Sequence, residues 1–156
     1  MNKTKTLAVT GTITFFATCA LWIAGLALLY GHFMDSPSFA VTIDAPNEIK
    51  KNEIFTISID VANPSEEKIT LGSIDVYDSL LEGFEIIKIE PTPYEVSSQF
   101  GFQTAYFSQE IDPRDSFNAT YTLKAKSAGL WIGDIDCCTP SEKFVTTSKS
   151  IVVIEK

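Results

Sequence analysis

Beyond Met34 the apolar residues of this chain recur at every second position, and that period constrains its fold more than any other feature. In "FTISIDVAN" Phe55, Ile57, Ile59 and Val61 alternate with Thr56, Ser58 and Asp60. In "FNATYTLKAK" Phe117, Ala119, Tyr121, Leu123 and Ala125 alternate with Asn118, Thr120, Thr122 and Lys124, and "FAVTID" places Phe39, Val41 and Ile43 likewise. Successive side chains of a strand point to opposite faces, so this alternation marks strands with one buried and one solvated face. Other segments are less regular. "ITLGSIDVYD" changes phase at Gly72–Ser73, as a β-bulge would. "FEIIKIE" (Phe84 to Glu90), "TAYFSQEI" (Thr104 to Ile111), "LWIGDIDCC" and "SIVVIE" (Ser150 to Glu155) complete the set. Turn-forming residues separate them at "APNEIKKNE", "NPSEEK", "LLEGF", "IDPRD" and "CTPSEK". "SLLEG" allows one helical turn, and no longer helical period follows Met34. The expectation is an all-β domain over residues 39–156, an immunoglobulin-like antiparallel β-sandwich of about seven to nine strands.

The first part of the chain reads differently. From Thr6 to Met34 there is no Asp, Glu, Lys or Arg. That run exceeds the ~20 residues that span a bilayer's hydrocarbon core, so it is expected to be one transmembrane helix, an uncleaved signal-anchor. Lys3 and Lys5 lie on its short N-terminal side. The positive-inside rule therefore puts residues 1–5 in the cytoplasm and everything from Asp35 outside. Residues 35–38, "DSPS", form a linker whose Pro37 stops the helix. The competing reading is a cleaved signal peptide and a secreted domain; against it, the apolar run is about twice the length such a segment needs.

The strand and turn grammar between Glu53 and Ala125 carries a resemblance. "VANP" (Val61 to Pro64), "DSLLEGFEI" (Asp78 to Ile86) and "IDPRDSFNATYTLKAK" (Ile111 to Lys126) follow one another in order. In this the chain resembles the bacterial cell-surface sandwich repeat known as the conserved repeat domain, or domain of unknown function eleven. Leu81 stands where that family usually has Pro, and Asp115 near where it usually has Gly. The family occurs mostly as tandem copies, whereas this chain has one copy behind one apolar run. The resemblance implies an extracellular structural or adhesive module without known chemistry.

Charge narrows the function. The chain carries 12 Lys and Arg against 20 Asp and Glu, a net charge of −8, and every acidic residue lies at Asp35 or beyond. Nucleic acid and anionic lipid surfaces call for clustered cations, so neither suits the C-terminal part as a partner. The single histidine, His32, stands at the edge of the apolar run, where it cannot serve a site in the sandwich. No Gly-rich phosphate loop and no Gly-x-Ser-x-Gly occurs. An enzyme is not expected, and no cofactor is called for.

Four features remain as candidate sites. Cys137 and Cys138 are adjacent, and their Cα atoms stand about 3.8 Å apart, closer than a relaxed disulfide permits. Packing of one thiol with exposure of the other, a strained or intermolecular disulfide, and a thiol- or metal-handling role are the three readings. The last is disfavoured because the domain supplies no histidine or methionine beside them. Asp134 with Asp136, Asp112 with Asp115, and Asp75 with Asp78 could gather into a calcium site, although no calcium-loop spacing is present and solvated turns explain them as well. The loop "PTPYEVSSQFGFQTAYF" (Pro91 to Phe107) offers Tyr94, Phe100, Phe102 and Tyr106 as anchors for a protein partner; the competing reading folds most of them into the core or has them cap the open end of the sandwich. Asn118 in "NAT" is a glycosylation sequon if the source is eukaryotic. The expected function is a non-catalytic interaction or structural module, held by the bilayer through Thr6–Met34 and meeting a protein partner at the envelope or surface.

Overall fold

The structure is a computed structural model that describes residues 39–141 and 143–155. The anticipated membrane segment, which contains His32, and the linker lie outside them. Among the described residues no helix is long and apolar enough to cross a membrane. Ten strands form: β1 (Ala40–Asp44), β2 (Glu48–Lys50), β3 (Ile54–Ala62), β4 (Ile69–Tyr77), β5 (Phe84–Glu90), β6 (Glu95–Gln99), β7 (Phe102–Ile111), β8 (Ser116–Ala125), β9 (Gly129–Cys138) and β10 (Phe144–Ile154). A single helical turn, α1 (Asp78–Leu81), follows β4. The strands divide into a four-stranded sheet, β1-β3-β8-β5, and a six-stranded sheet, β2-β10-β9-β4-β7-β6. All pairings are antiparallel except β2 with β10. The two-sheet immunoglobulin-like sandwich expected from the alternation is therefore the observed fold.

The alternating residues build its core. Phe55, Ile57, Ile59 and Val61 of β3 and Ala119, Tyr121, Leu123 and Ala125 of β8 are buried from the four-stranded side. Leu71, Ile74 and Val76 of β4, Ile135 and Cys137 of β9 and Ile151 and Val153 of β10 meet them from the other. Each such side chain removed from water contributes about 1.5–3 kcal/mol before chain entropy is counted. Aromatic pairs close both ends of β8. Phe107 and Phe117 stand edge to face at 5.3 Å, and at the far end Phe84 meets Phe55 at 5.2 Å and Trp131 at 6.4 Å. Gly83 is required there: a Cβ on it would sit 2.3 Å from the Trp131 indole.

The phase change in β4 is a register shift between Leu71 and Ser73 against β7. It restores Ile74 and Val76 to the core and turns Ser73, Asp75 and Tyr77 outward. Two of the ten strands are not among the segments that read as strands: one falls in a supposed turn, the other in the supposed aromatic loop. β2 lies within "APNEIKKNE", where three residues suffice to add a parallel edge to β10. The second is β6, with Phe100 (φ 54°) and Gly101 (φ 87°) making a two-residue turn into β7. Positive φ at both central positions is the hairpin turn that matches strand twist. Pro91 to Phe107 is thus not a long loop. Its strand pattern is hidden because edge strand β6 buries no residue on either side.

The "VANP" turn owes its form to Asn63, which is 1% exposed. Its amide nitrogen donates to the carbonyls of Glu67, Ile111 and Asp112 at 2.7, 3.0 and 3.1 Å. Its Oδ1 accepts from the Ser65 N–H and hydroxyl at 3.0 and 2.7 Å. The backbone joins as well: Asn63 N–H donates to Asp115 O, and Arg114 N–H donates to Asn63 O. One side chain thereby ties the β3–β4 loop to the β7–β8 turn.

Candidate functional site

The outer face of the six-stranded sheet is where polar and aromatic side chains converge. Register dictates which residues meet. Ser97, Thr104, Asp75, Asp136 and Thr146 form one row across β6, β7, β4, β9 and β10. Gln99, Phe102 and Tyr77 form the row on one side, and Tyr106, Ser73, Cys138 and Phe144 the row on the other. All of them except Thr146 line a concavity of about 660 Å³, and no Lys or Arg lies among its lining residues.

Asp75 and Asp136 sit directly opposite each other on neighbouring strands. Like charges in that position repel, a destabilising arrangement unless something intervenes. Asp136 is 7% exposed. Its Oδ2 accepts from the Tyr77 hydroxyl at 3.3 Å, and Asp75 Oδ2 accepts from the Cys138 thiol at 3.5 Å. The Oδ1 atoms of both carboxylates are buried and have no hydrogen-bond partner among the described residues. Native proteins leave few buried acceptors in that condition. The negative Asp136 carboxylate beside Tyr77, with burial, raises the phenol's pKa above its ordinary value.

The sequence-derived aromatic anchors are brought together here. None of Tyr94, Phe100, Phe102 and Tyr106 belongs to the buried core, so the reading that folds them inward does not hold. Tyr94 and Tyr106 pair at 6.0 Å, and Phe102 packs on Tyr77 at 5.8 Å. Phe100 caps the hairpin tip, 92% exposed. The same sheet face continues toward the other end of β9 as an apolar patch, with Leu130 and Ile132 beside Val152 and Ile154, all exposed.

The cysteines divide between faces. Cys137 points into the core; Cys138 is half-buried at the rim of the concavity; neither is in a disulfide. Burial first, then nearby negative charge, pushes both thiols up to about 12. A thiol so shifted is almost wholly protonated at neutral pH, and the thiolate is the species that attacks or binds metal.

The six-aspartate grouping does not form. Asp112 and Asp115 lie at the β7–β8 turn beside the start of β4, whereas Asp78 follows its end. Asp75, Asp134 and Asp136 alone share the outer face. Among the described residues no group of three His, Cys, Asp or Glu is placed to hold a metal ion. Asn118 is exposed on the outer face of the four-stranded sheet, donating to Ser58 Oγ at 2.8 Å. The residues that sequence reasoning missed are Tyr77, Thr104 and Phe144, together with the facing of Asp75 and Asp136. Alternation could have put each on an outer face, but register alone reveals which are neighbours.

The fold is similar to that of the cohesin module from a family 33 glycoside hydrolase of Clostridium perfringens, at a TM-score of 0.51 and 16% identity over 78% of this chain and 100% of that module. The two share a fold. A CARDB domain from Pyrococcus furiosus aligns at a TM-score of 0.49 and 14% identity, over 77% of this chain and 90% of that one. No protein-family model and no curated protein matches the chain.

Proposed function

We propose that this chain is a single-pass, membrane-anchored β-sandwich standing outside the cytoplasm, and that it acts without catalysis by docking a protein partner on the outer face of its six-stranded sheet. One observation carries this reading. The face gathers exposed aromatic rings, unsatisfied carboxylate oxygens and an exposed apolar patch on one rigid sheet. Aromatics that hold large contact area at low entropic cost are what interface centres use. The anchor rests on the charge-free run Thr6–Met34, and its orientation on Lys3 and Lys5. A thiol chemistry at Cys137 and Cys138 lacks support, because both thiols are held in the protonated form.

Photo-crosslinking in cells tests the reading. A photoreactive amino acid replacing Phe100 or Tyr94 should capture a reproducible protein neighbour, while one replacing Asn118 on the opposite sheet should not. Equal capture from both faces, or none from either, would overturn it.

A further inference from the structure

Two carboxylates that face each other without a cation between them invite one. We infer that the concavity seats a guanidinium group, an arginine side chain of the partner protein, between Asp75 and Asp136. This rests on the reading of the face as a docking surface, and it names the chemistry of the group that docks.

Several observations converge. Asp136 is more than nine-tenths buried, lines the concavity and has an Oδ1 without a donor among the described residues; Asp75 Oδ1 is in the same state. The site is rich in acceptors and short of donors. Its present donors to these carboxylates are one phenol at a long 3.3 Å and one thiol at 3.5 Å, an intrinsically weak donor, so both are readily displaced. A carboxylate's terminal torsion is broad, so either Asp can turn its unpaired oxygen toward an incoming donor. No Lys or Arg lines the concavity, so the charge is not neutralised from within.

The shape of the incoming cation follows. A guanidinium offers five N–H donors in a plane, enough for two carboxylates at once, and its faces stack on aromatic rings. Tyr77, Phe102 and Tyr106 supply those rings beside the pair. An ammonium would satisfy the charge but offers three donors and no stacking plane. A divalent ion is the poorer occupant, since among the described residues no group of three His, Cys, Asp or Glu is placed to hold one.

The test uses the full-length chain in non-ionic detergent and a short capped peptide with one central arginine. Binding is followed by chemical-shift changes and compared with peptides carrying lysine, or the neutral isostere citrulline, at the same position. The arginine peptide should perturb residues around Tyr77, Thr104 and Asp136, and bind about tenfold or more tighter than the citrulline peptide. Asp75→Asn and Asp136→Asn should each abolish that preference, with near-UV circular dichroism confirming the fold. Asp134→Asn, on the same face but outside the concavity, should retain it. Equal binding of arginine and citrulline peptides, undiminished binding by both Asn variants, or saturation of the same residues by calcium alone would overturn the inference. If crosslinking from Phe100 still captures a neighbour while the arginine peptide fails, the docking face stands and its guanidinium seat falls. If crosslinking also fails, the docking reading itself is lost.

Discussion

Asn63 and the Asp75–Asp136 pair both carry buried polar atoms, yet these are treated in opposite ways. The Asn63 side chain spends every hydrogen-bonding atom on a neighbour: three carbonyls accept from its nitrogen and Ser65 donates twice to its oxygen. The two aspartates each leave one oxygen buried and bare. Satisfied polar networks rigidify and specify a structure, whereas partly satisfied ones cost stability. The carboxylate pair is of the second kind. The two sites should therefore respond to mutation with opposite signs.

The largest effect is expected at the satisfied site. Asn63→Ala deletes five side-chain hydrogen bonds and leaves the carbonyl of Ile111 without that donor in a buried place. Stability should fall by about 2–4 kcal/mol, read as a lower urea midpoint. A loss under about 1 kcal/mol would show that the knot is not what joins the β3–β4 loop to the β7–β8 turn. A smaller effect of opposite sign is expected at Tyr121, whose hydroxyl is buried in the core with no hydrogen-bond partner among the described residues. Tyr121→Phe should raise stability by about 1 kcal/mol, since it removes an unsatisfied group and keeps the ring. Smaller still, Asp136→Asn should leave the midpoint unchanged or raise it by about 0.5 kcal/mol by relieving the repulsion from Asp75. A strongly destabilised Asp136→Asn would place the pair with Asn63 as a structural device and erase the contrast.

Much of the sandwich was legible because burial imposes a period of two. β3 and β8, central in the four-stranded sheet, have one face on the core and one in water, and their sequences say so residue by residue. β2 and β6 were illegible for the converse reason. β2 is an edge strand of three residues, so its single alternation about the buried Ile49 is too short to read; edge strand β6 buries no residue and so carries no alternation. The four aromatic anchors were legible by type, but their address was not. Composition could not distinguish a core-filling tyrosine from one lining an outer face, because that distinction depends on a hairpin turn at Phe100–Gly101. The aspartate pair is a product of register between β4 and β9, strands separated by about half of the domain in sequence, and no local pattern encodes it.

The cysteines give the smallest effect at neutral pH and a distinct one in alkali. Cys138→Ser, at the rim of the concavity, should move the midpoint by no more than about 0.5 kcal/mol. Both thiols titrate near 9 when unfolded and are pushed up to about 12 in the fold. Between those values the folded chain holds protons that the unfolded chain has released, so raising the pH favours unfolding. Their contribution is therefore complete below about pH 9 and is lost as the pH climbs through about 12. Tyr77 and Tyr121, whose phenols are also raised, add to the same decline. Urea midpoints measured from neutral pH upward should hold level, then fall across this window, and Cys137→Val should make the fall shallower. Rapid modification of Cys138 by a thiol reagent at neutral pH in the folded chain would contradict the protonated, enclosed thiol on which this expectation rests, and would return the pair to consideration as a reactive site.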